Sequence, residues 1–250
     1  MITASHNKYT DNGVKISGLN GESIDSDWEE KYTNIVNSKD LITDLKKLIQ
    51  EIYHKSEKNK YFFRDYTPII SLAYDTRRSS PKLIKISEDA LTLYSAKFHN
   101  YGVLTTPALQ FLTYLNQMLF KKVNSILSQF YFVNSSEYWM FLKGVYMGFN
   151  NFSEQFLAIK PIEAKYENEM LIDCANGAAA FHFKKIAEIF GDRMKLKFIN
   201  INYEFYEGLN EACGAEHLHK IKTLPLNYTD EVKLVKNLSF DGDVDRIIYL

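Results

Sequence analysis

Three aspartates stand at alternating positions, as Asp241, Asp243 and Asp245, and Arg246 follows them directly. Three carboxylates this close together cannot all stay ionised without a cation, and hard oxygen ligands in this number suit Mg²⁺ or Ca²⁺. The calcium-binding helix-loop-helix motif is excluded because its sixth position, which must be glycine, would be Arg246. Since arginine is also a bidentate phosphate donor, the run predicts a site for a divalent cation, Mg²⁺ for preference, together with phosphate. The alternative is a solvated acidic turn.

A serine near the other end of the sequence could carry a phosphoryl group. Residues 3–7 read Thr-Ala-Ser-His-Asn, and the hydroxyl of Ser5 is a nucleophile of the kind that forms covalent intermediates. Lys15 follows a turn at Gly13 and could reach the same place as a proton shuttle or a phosphate clamp. Taken alone, the segment is more typical of a polar loop, and no strand is predicted to hold it. A serine hydrolase is excluded because no Gly-x-Ser-x-Gly elbow surrounds the serine.

Strands that alternate with helices must position these segments. Helical periodicity and cap signals predict helices from about 28, at 40–54, from 80, and at 108–127, 136–157, 178–190 and 230–236. Apolar runs predict strands at 68–74, 99–104, 170–173, 195–201, 238–240 and from 247. This alternation is typical of α/β units with mixed, largely parallel sheets. A charged stretch at 161–169 predicts a boundary between two α/β domains, 1–163 and 164–250, both truncated at their outer ends.

Two further polar turns follow predicted strands, at residues 75–80 and 172–177. Proteins of the α/β class place ligands at the carboxyl ends of strands, and helix N-termini there suit anions. The alternative for each turn is simple turn and cap chemistry. Residues 209–215 are predicted to form a turn-rich loop with no chemistry of its own.

The composition limits the classes of function. Hydrophobic residues make up 46% of the chain, which excludes disorder as the main state. A net charge of −1 argues against nucleic-acid partners, and two cysteines are too few for a disulfide framework. The longest apolar stretch is too short to cross a bilayer. We therefore expect a cytoplasmic protein with neither nucleic-acid nor membrane partners.

Together these segments resemble the α-D-phosphohexomutase superfamily. The blocks that carry the resemblance run in the expected order across the chain, at 3–7 with 11–15, 74–77, 101–107, 173–177, 209–215 and 239–246. In that superfamily a phosphoserine loop, matched by residues 3–7 and 12–15, works with a metal loop, matched by residues 241–246. The resemblance implies a four-domain enzyme whose first three domains are α/β. This chain would hold most of domains 1 and 2.

The resemblance also implies an activity on a small sugar phosphate. Within the superfamily the chain looks most like the enzymes that move phosphate between O6 and O1 of N-acetylglucosamine phosphate through a 1,6-bisphosphate, in UDP-N-acetylglucosamine synthesis. It implies the following site residues: Ser5, Lys15 and His6 for catalysis, Asn7, Arg77 and Arg246 for phosphate, and Asp241, Asp243 and Asp245 with a Ser5 oxygen for Mg²⁺.

Two positions depart from the family pattern. Lys8 stands where proline is usual, and Val244 stands where a small residue is usual. Two alternatives remain open: a non-catalytic remnant that binds metal or a partner, and a mutase for another hexose phosphate. A phosphatase with Asp241 as its nucleophile is disfavoured, because Asp245 stands where such enzymes need threonine or valine.

Overall fold

Two sheets, each flanked by helices, follow one another along the chain. The structure is a computed structural model that describes residues 1–18, 20–57, 69–122, 132–156, 168–229 and 236–249. The first part of the chain contains the elements α1 (Ser26–Val36), α2 (Leu41–Glu57), β1 (Ile69–Tyr74), α3 (Ser80–Leu93), β2 (Lys97–Val103), α4 (Thr106–Lys122) and α5 (Ser135–Phe156). The second part contains β3 (Glu169–Asp173), α6 (Ala178–Phe190), β4 (Lys195–Ile199), α7 (Gly214–Ile221), β5 (Lys236–Phe240) and β6 (Ile247–Tyr249).

The first sheet holds the start of the chain. Strands β1 and β2 pair in parallel, and Ile2 bridges Tyr74 in parallel and Val14 in antiparallel fashion. The backbone N–H of Ile2 donates to Ala73 at 2.9 Å, and its carbonyl accepts from the N–H of Asp75 at 3.1 Å. Among the described residues no strand contains the serine segment, but the isolated bridges of Ile2 hold this segment against the first sheet. A single bridging residue is too short to show as an apolar run.

The second sheet has the strand order β4-β3-β5-β6. The first three strands are parallel, and β6 runs antiparallel to β5. The predicted α/β class with mixed, largely parallel sheets is confirmed. Of the helix predicted at 230–236, residues 230–235 lie outside the described residues, and Lys236 begins β5. Helix α7 was not predicted, because it follows a turn-rich segment and is only 8 residues long.

Each sheet packs its apolar face against helices. The buried residues Ala73, Leu104, Ala108, Leu109 and Leu112 join the first sheet to α4. The second core contains Ile172, Ala179, Ala180, Leu238 and Phe240. Both cores include apolar residues at the carboxyl ends of strands. The packing of these residues fixes the positions at which the polar turns begin. Among the described residues, every helix is too short or too polar to cross a bilayer.

The carboxyl ends of the two sheets face each other. The Nε2 atom of His182 lies 2.9 Å from the carbonyl oxygen of Val103, and the N–H of Thr106 donates to the carbonyl of Asp243 at 2.9 Å. Within the second part of the chain, two loops approach so closely that a Cβ atom on Gly177 would lie 2.3 Å from the carbonyl oxygen of Gly242. Only glycine fits at residue 177. The polar turns of both sheets consequently share one cleft.

The leucine at the end of β2 gives a test of the first core. Leu104 is fully buried, whereas Leu93 at the end of α3 is 85% exposed. We expect Leu104→Ala to lower the free energy of unfolding by about 2–5 kcal/mol, because it removes buried methyl groups and leaves a cavity. Urea unfolding followed by circular dichroism measures the loss, and Leu93→Ala is the matched control. Equal stability of the two variants would contradict this packing.

Candidate active site

The serine loop is a tight turn built on a buried threonine. The hydroxyl of Thr3 donates to the Asp75 carboxylate at 2.7 Å and accepts from the backbone N–H of Ser5 at 2.9 Å. Ser5 has a φ of 44°, in the left-handed region that costs a non-glycine residue about 1–2 kcal/mol. Since strained residues persist only where their surroundings fix them, this backbone indicates a constrained site.

A buried ion pair lies beneath that loop. Asp75 and Arg77 are both buried, and the Nη1 atom of Arg77 contacts the Asp75 carboxylate. The Nη2 atom donates to the carbonyl of Asn7 at 2.8 Å and approaches that of Ser5 at 3.4 Å. The expected phosphate contact of Arg77 does not match this geometry, because its guanidinium is enclosed and directed at the backbone. Arg77 positions the serine loop instead.

His6 and Asn7 flank the serine and face different surroundings. The Nε2 atom of His6 lies 3.8 Å from a carboxylate oxygen of Glu216. Burial and the nearby charge of Arg246 lower the pKa of His6, although Glu216 opposes them. The Asn7 side chain donates to Asp11 at 3.1 Å. His6 therefore stays mostly neutral at neutral pH, while Asn7 stabilises the far side of the loop.

The three aspartates converge. Asp241, Asp243 and Asp245 each offer a carboxylate oxygen, and these oxygens lie within 4.8 Å of one another. Asp241 and Asp243 are fully buried. One oxygen of each, Oδ2 of Asp241 and Oδ1 of Asp243, is buried without a hydrogen-bond partner. An unsatisfied buried carboxylate oxygen is costly, so this donor set fits a hard divalent cation.

The pKa values of the triad also indicate a site that requires positive charge. Burial, followed by the charge of Asp243, raises the pKa of Asp241 from 3.8 to about 8. Burial would also raise the pKa of Asp245, but the hydrogen bonds that it accepts from Lys15 and from the protonated Asp241 outweigh burial and lower that pKa. Without a cation, the site therefore keeps a proton on Asp241 near neutral pH.

Lys15 reaches the triad from the first part of the chain. Its Nζ lies 2.6 Å from Asp243 and 2.5 Å from Asp245. Burial would lower the pKa of Lys15, but the charges and hydrogen bonds of these two carboxylates raise it above its usual value. The ammonium group thus supplies part of the positive charge that the triad requires.

The serine loop and the metal loop touch each other. A Cβ atom on Gly242 would lie 2.6 Å from the carbonyl oxygen of Ser5, and the side chain of Asn210 donates to that same oxygen at 2.8 Å. Val244, in the metal loop, has a φ of 66°, which is unfavourable for a β-branched residue. Glycine at this position would have no such strain, because it lacks a Cβ atom.

Arg246 lies between Glu216 and the triad. Its Nη1 donates to Glu216 at 2.7 Å, and its Nε lies 4.0 Å from Asp241. The side chain is half-exposed. Glu216 links Arg246 to His6, and sequence reasoning missed it because it lies in the unpredicted helix α7. Asn210 was missed for a similar reason, since its loop shows only turn residues.

The chain matches known proteins along its whole length. The family model of phosphoglucomutase/phosphomannomutase, alpha/beta/alpha domain I, matches residues 1–43. Phosphoacetylglucosamine mutase 1 of Schizosaccharomyces pombe is 29% identical over 255 residues, which cover 100% of this chain and 44% of that protein. The chain thus spans less than half the length of the curated relatives that it matches.

Solved structures agree with the sequence relatives. A crystal structure of N-acetylglucosamine-phosphate mutase in the substrate complex, a member of the α-D-phosphohexomutase superfamily, has a TM-score of 0.75 at 26% identity and covers 99% of this chain and 42% of that one. The Aspergillus fumigatus N-acetylphosphoglucosamine mutase, in complex with GlcNAc-6P and magnesium, has a TM-score of 0.75 at 24% identity with the same coverage.

The α/β fold is shared with a solved member of the α-D-phosphohexomutase superfamily, and residues 1–43 match domain I of phosphoglucomutase/phosphomannomutase. Within that class, the relatives are phosphoacetylglucosamine mutases, and the chain fits a segment of such a mutase.

The buried ion pair beneath the serine loop can be tested by substitution. We expect Arg77→Met to lower the free energy of unfolding by about 3–5 kcal/mol, because it leaves the Asp75 carboxylate buried without its partner. Arg78→Met is the matched control, since Arg78 is adjacent and exposed, and it should change stability by no more than about 0.5 kcal/mol. Guanidinium unfolding measures both. Equal losses would show that Arg77 does not support the loop.

The raised pKa of Asp241 predicts a pH dependence of cation binding. Below about 8 a proton on Asp241 must leave before the triad can bind a cation, so affinity should rise with pH and level off above that value. In the cation-free protein the same shift should make the free energy of unfolding fall as pH rises from 3.8 to about 8.

Calorimetric titration with Mn²⁺ at pH values on both sides of 8 measures the first effect. A variant in which Asp241, Asp243 and Asp245 are all replaced by Asn is the control and should not bind the ion. An affinity that does not change with pH would contradict the proton held on Asp241.

Proposed function

We propose that this chain supplies the phosphoserine and the metal site of a phosphoacetylglucosamine mutase. The observation that carries the proposal is the contact between the loop of Ser5 and the loop of Asp241, Asp243 and Asp245. A phosphoryl group on Ser5 would need positive charge beside it, and the triad is the place where the described residues can collect that charge. The alternative of a polar loop next to an acidic turn leaves the buried, unpaired carboxylate oxygens unexplained.

Magnesium is the cation that we assign to the triad. Asp241, Asp243 and Asp245 would hold it together with an oxygen of Ser5 or of its phosphoryl group. Bound there, Mg²⁺ would neutralise the charge that develops on the transferring phosphoryl group. The A. fumigatus relative was solved with magnesium, which supports this choice of ion.

The remaining side chains have separate tasks in this proposal. Lys15, protonated on Nζ, would give a proton to the sugar oxygen and, once neutral, would take that proton back in the reverse transfer. Arg246 would leave Glu216 and bind the phosphate of the substrate in bidentate fashion. His6, held neutral by burial and by Arg246, would shape the loop beside Ser5, and Asn7 would do the same through its contact with Asp11.

We assign the substrate class from the relatives. The curated matches are phosphoacetylglucosamine mutases, so the sugar would be N-acetylglucosamine carrying phosphate at O6 or O1. The proposal divides the chain into domains 1–163 and 164–250, whose strand ends form the two walls of the cleft. The alternatives, another hexose phosphate and a non-catalytic remnant, predict different results in the experiment below.

Transfer to Ser5 is the step that tests the proposal. We expect the 250 residues, incubated with N-acetylglucosamine 1,6-bisphosphate and Mg²⁺, to acquire one phosphoryl group on Ser5 and to release an N-acetylglucosamine monophosphate. Peptide mapping by mass spectrometry locates the group. We expect no multiple turnover of the 6-phosphate to the 1-phosphate, because substrate contacts that contribute to the chemical step are not all present in this chain.

Two variants make the result specific. Ser5→Ala should take up no phosphate, and Asp243→Asn should slow the transfer without changing its position. Phosphate found on another residue, or equal uptake by Ser5→Ala, would refute the phosphoserine. Faster uptake from glucose 1,6-bisphosphate than from its N-acetylglucosamine counterpart would favour a mutase for another hexose. The absence of any transfer, with Mg²⁺ binding intact, would favour the non-catalytic remnant.

A further inference from the structure

Thr106 makes two hydrogen bonds to one residue of the acidic triad. Its backbone N–H donates to the carbonyl of Asp243 at 2.9 Å, and its hydroxyl donates to the Oδ2 atom of the same residue at 2.5 Å. Thr106 is the first residue of α4 and is buried. The contact therefore crosses the cleft, from a helix of the first sheet to the loop that follows β5.

These bonds divide the two carboxylate oxygens of Asp243 into different roles. The Oδ2 atom receives both the hydroxyl of Thr106 and, at 2.6 Å, the ammonium group of Lys15. The Oδ1 atom is buried and has no hydrogen-bond partner. Because the hydroxyl of Thr106 fixes the rotation of the carboxylate, Oδ2 is occupied by two donors and Oδ1 is left as the oxygen without a hydrogen-bond partner.

We propose that Thr106 is a positioning residue for the cation site: it orients Asp243 so that Oδ1 alone is presented as a ligand. The inference rests on the proposed metal site and adds a residue to which no role in it has been assigned. Residues that bond to metal ligands in this way alter metal affinity by about 10–100-fold when they are replaced.

The position of Thr106 also ties cation affinity to the closeness of the two sheets. The hydroxyl reaches Asp243 only while the start of α4 stays against the metal loop, and the contact between His182 and Val103 holds the neighbouring strand end at 2.9 Å. Any movement that separates the sheets breaks the bond of Thr106 to Asp243. A protein with its cleft open would thus bind the cation more weakly than one with its cleft closed.

The test compares Mn²⁺ binding by the whole 250-residue chain and three variants. Thr106→Val removes the hydroxyl but keeps the shape and the N–H, and should weaken Mn²⁺ binding about 10–100-fold. Thr106→Ser restores the hydroxyl and should restore the affinity. Thr113→Val is the matched control, because Thr113 lies on the same helix and donates only to the carbonyl of Leu109, at 2.8 Å.

A thermal readout separates positioning from a merely structural role. Mn²⁺ should raise the melting temperature of the wild type, Thr106→Ser and Thr113→Val, and should raise that of Thr106→Val much less. If Thr106 had only a structural role, the melting temperature of Thr106→Val would lie below that of the wild type by the same amount with and without Mn²⁺. Where valine impairs folding, Thr106→Ala removes the hydroxyl with a smaller side chain and is used instead.

The outcomes distinguish this inference from the proposed function. If the wild type binds Mn²⁺ and Thr106→Val binds it with equal affinity, the positioning role is refuted and the metal site stands. If the wild type and Asp243→Asn both fail to bind Mn²⁺, the metal site and the positioning role are refuted together.

Discussion

Repulsion between Asp241, Asp243 and Asp245 is the constraint on which the cleft depends. Their carboxylate oxygens lie within 4.8 Å of one another, and two of the three residues are fully buried, where unbalanced charge is most costly. Three groups offset this repulsion: a proton on Asp241, the ammonium group of Lys15 and the hydroxyl of Thr106. Two of these three groups, those of Lys15 and Thr106, come from the first part of the chain. The acidic loop therefore depends on contacts from the first sheet as well as on the strand that precedes it.

Buried aspartates fix the loops on both walls in the same manner. At the end of β1, Asp75 accepts hydrogen bonds from the side chains of Thr3 and Ser80. At the end of β3, Asp173 accepts from the side chain of Asn200, at 2.8 Å, and from the N–H of Gly214, at 2.7 Å. Because hydrogen bonds offset the cost of burying a carboxylate, Asp75 and Asp173 each hold several loops around a single point. The cleft is thus rigid at its base.

The α/β class, the largely parallel sheets and most helices could be predicted, because apolar runs and helical periodicity are local signals. The acidic triad could also be proposed from its spacing. The bridges of Ile2 could not be predicted, because a single residue makes them. Helix α7 could not be predicted either, because it is short and follows a turn. The inward turn of Arg77 and the roles of Glu216 and Thr106 depend on contacts between distant segments. Residue type and local spacing do not predict such contacts.

Contacts across the cleft join parts of the chain that are far apart in sequence. The bond of Lys15 to Asp243 spans 228 positions, and that of Asn210 to Ser5 spans 205. Closing loops of that length costs chain entropy before the contact returns any energy, and such contacts slow folding. Both sheets must form before either bond can exist. The sequence distance that these contacts span therefore predicts that the cleft assembles after the two cores.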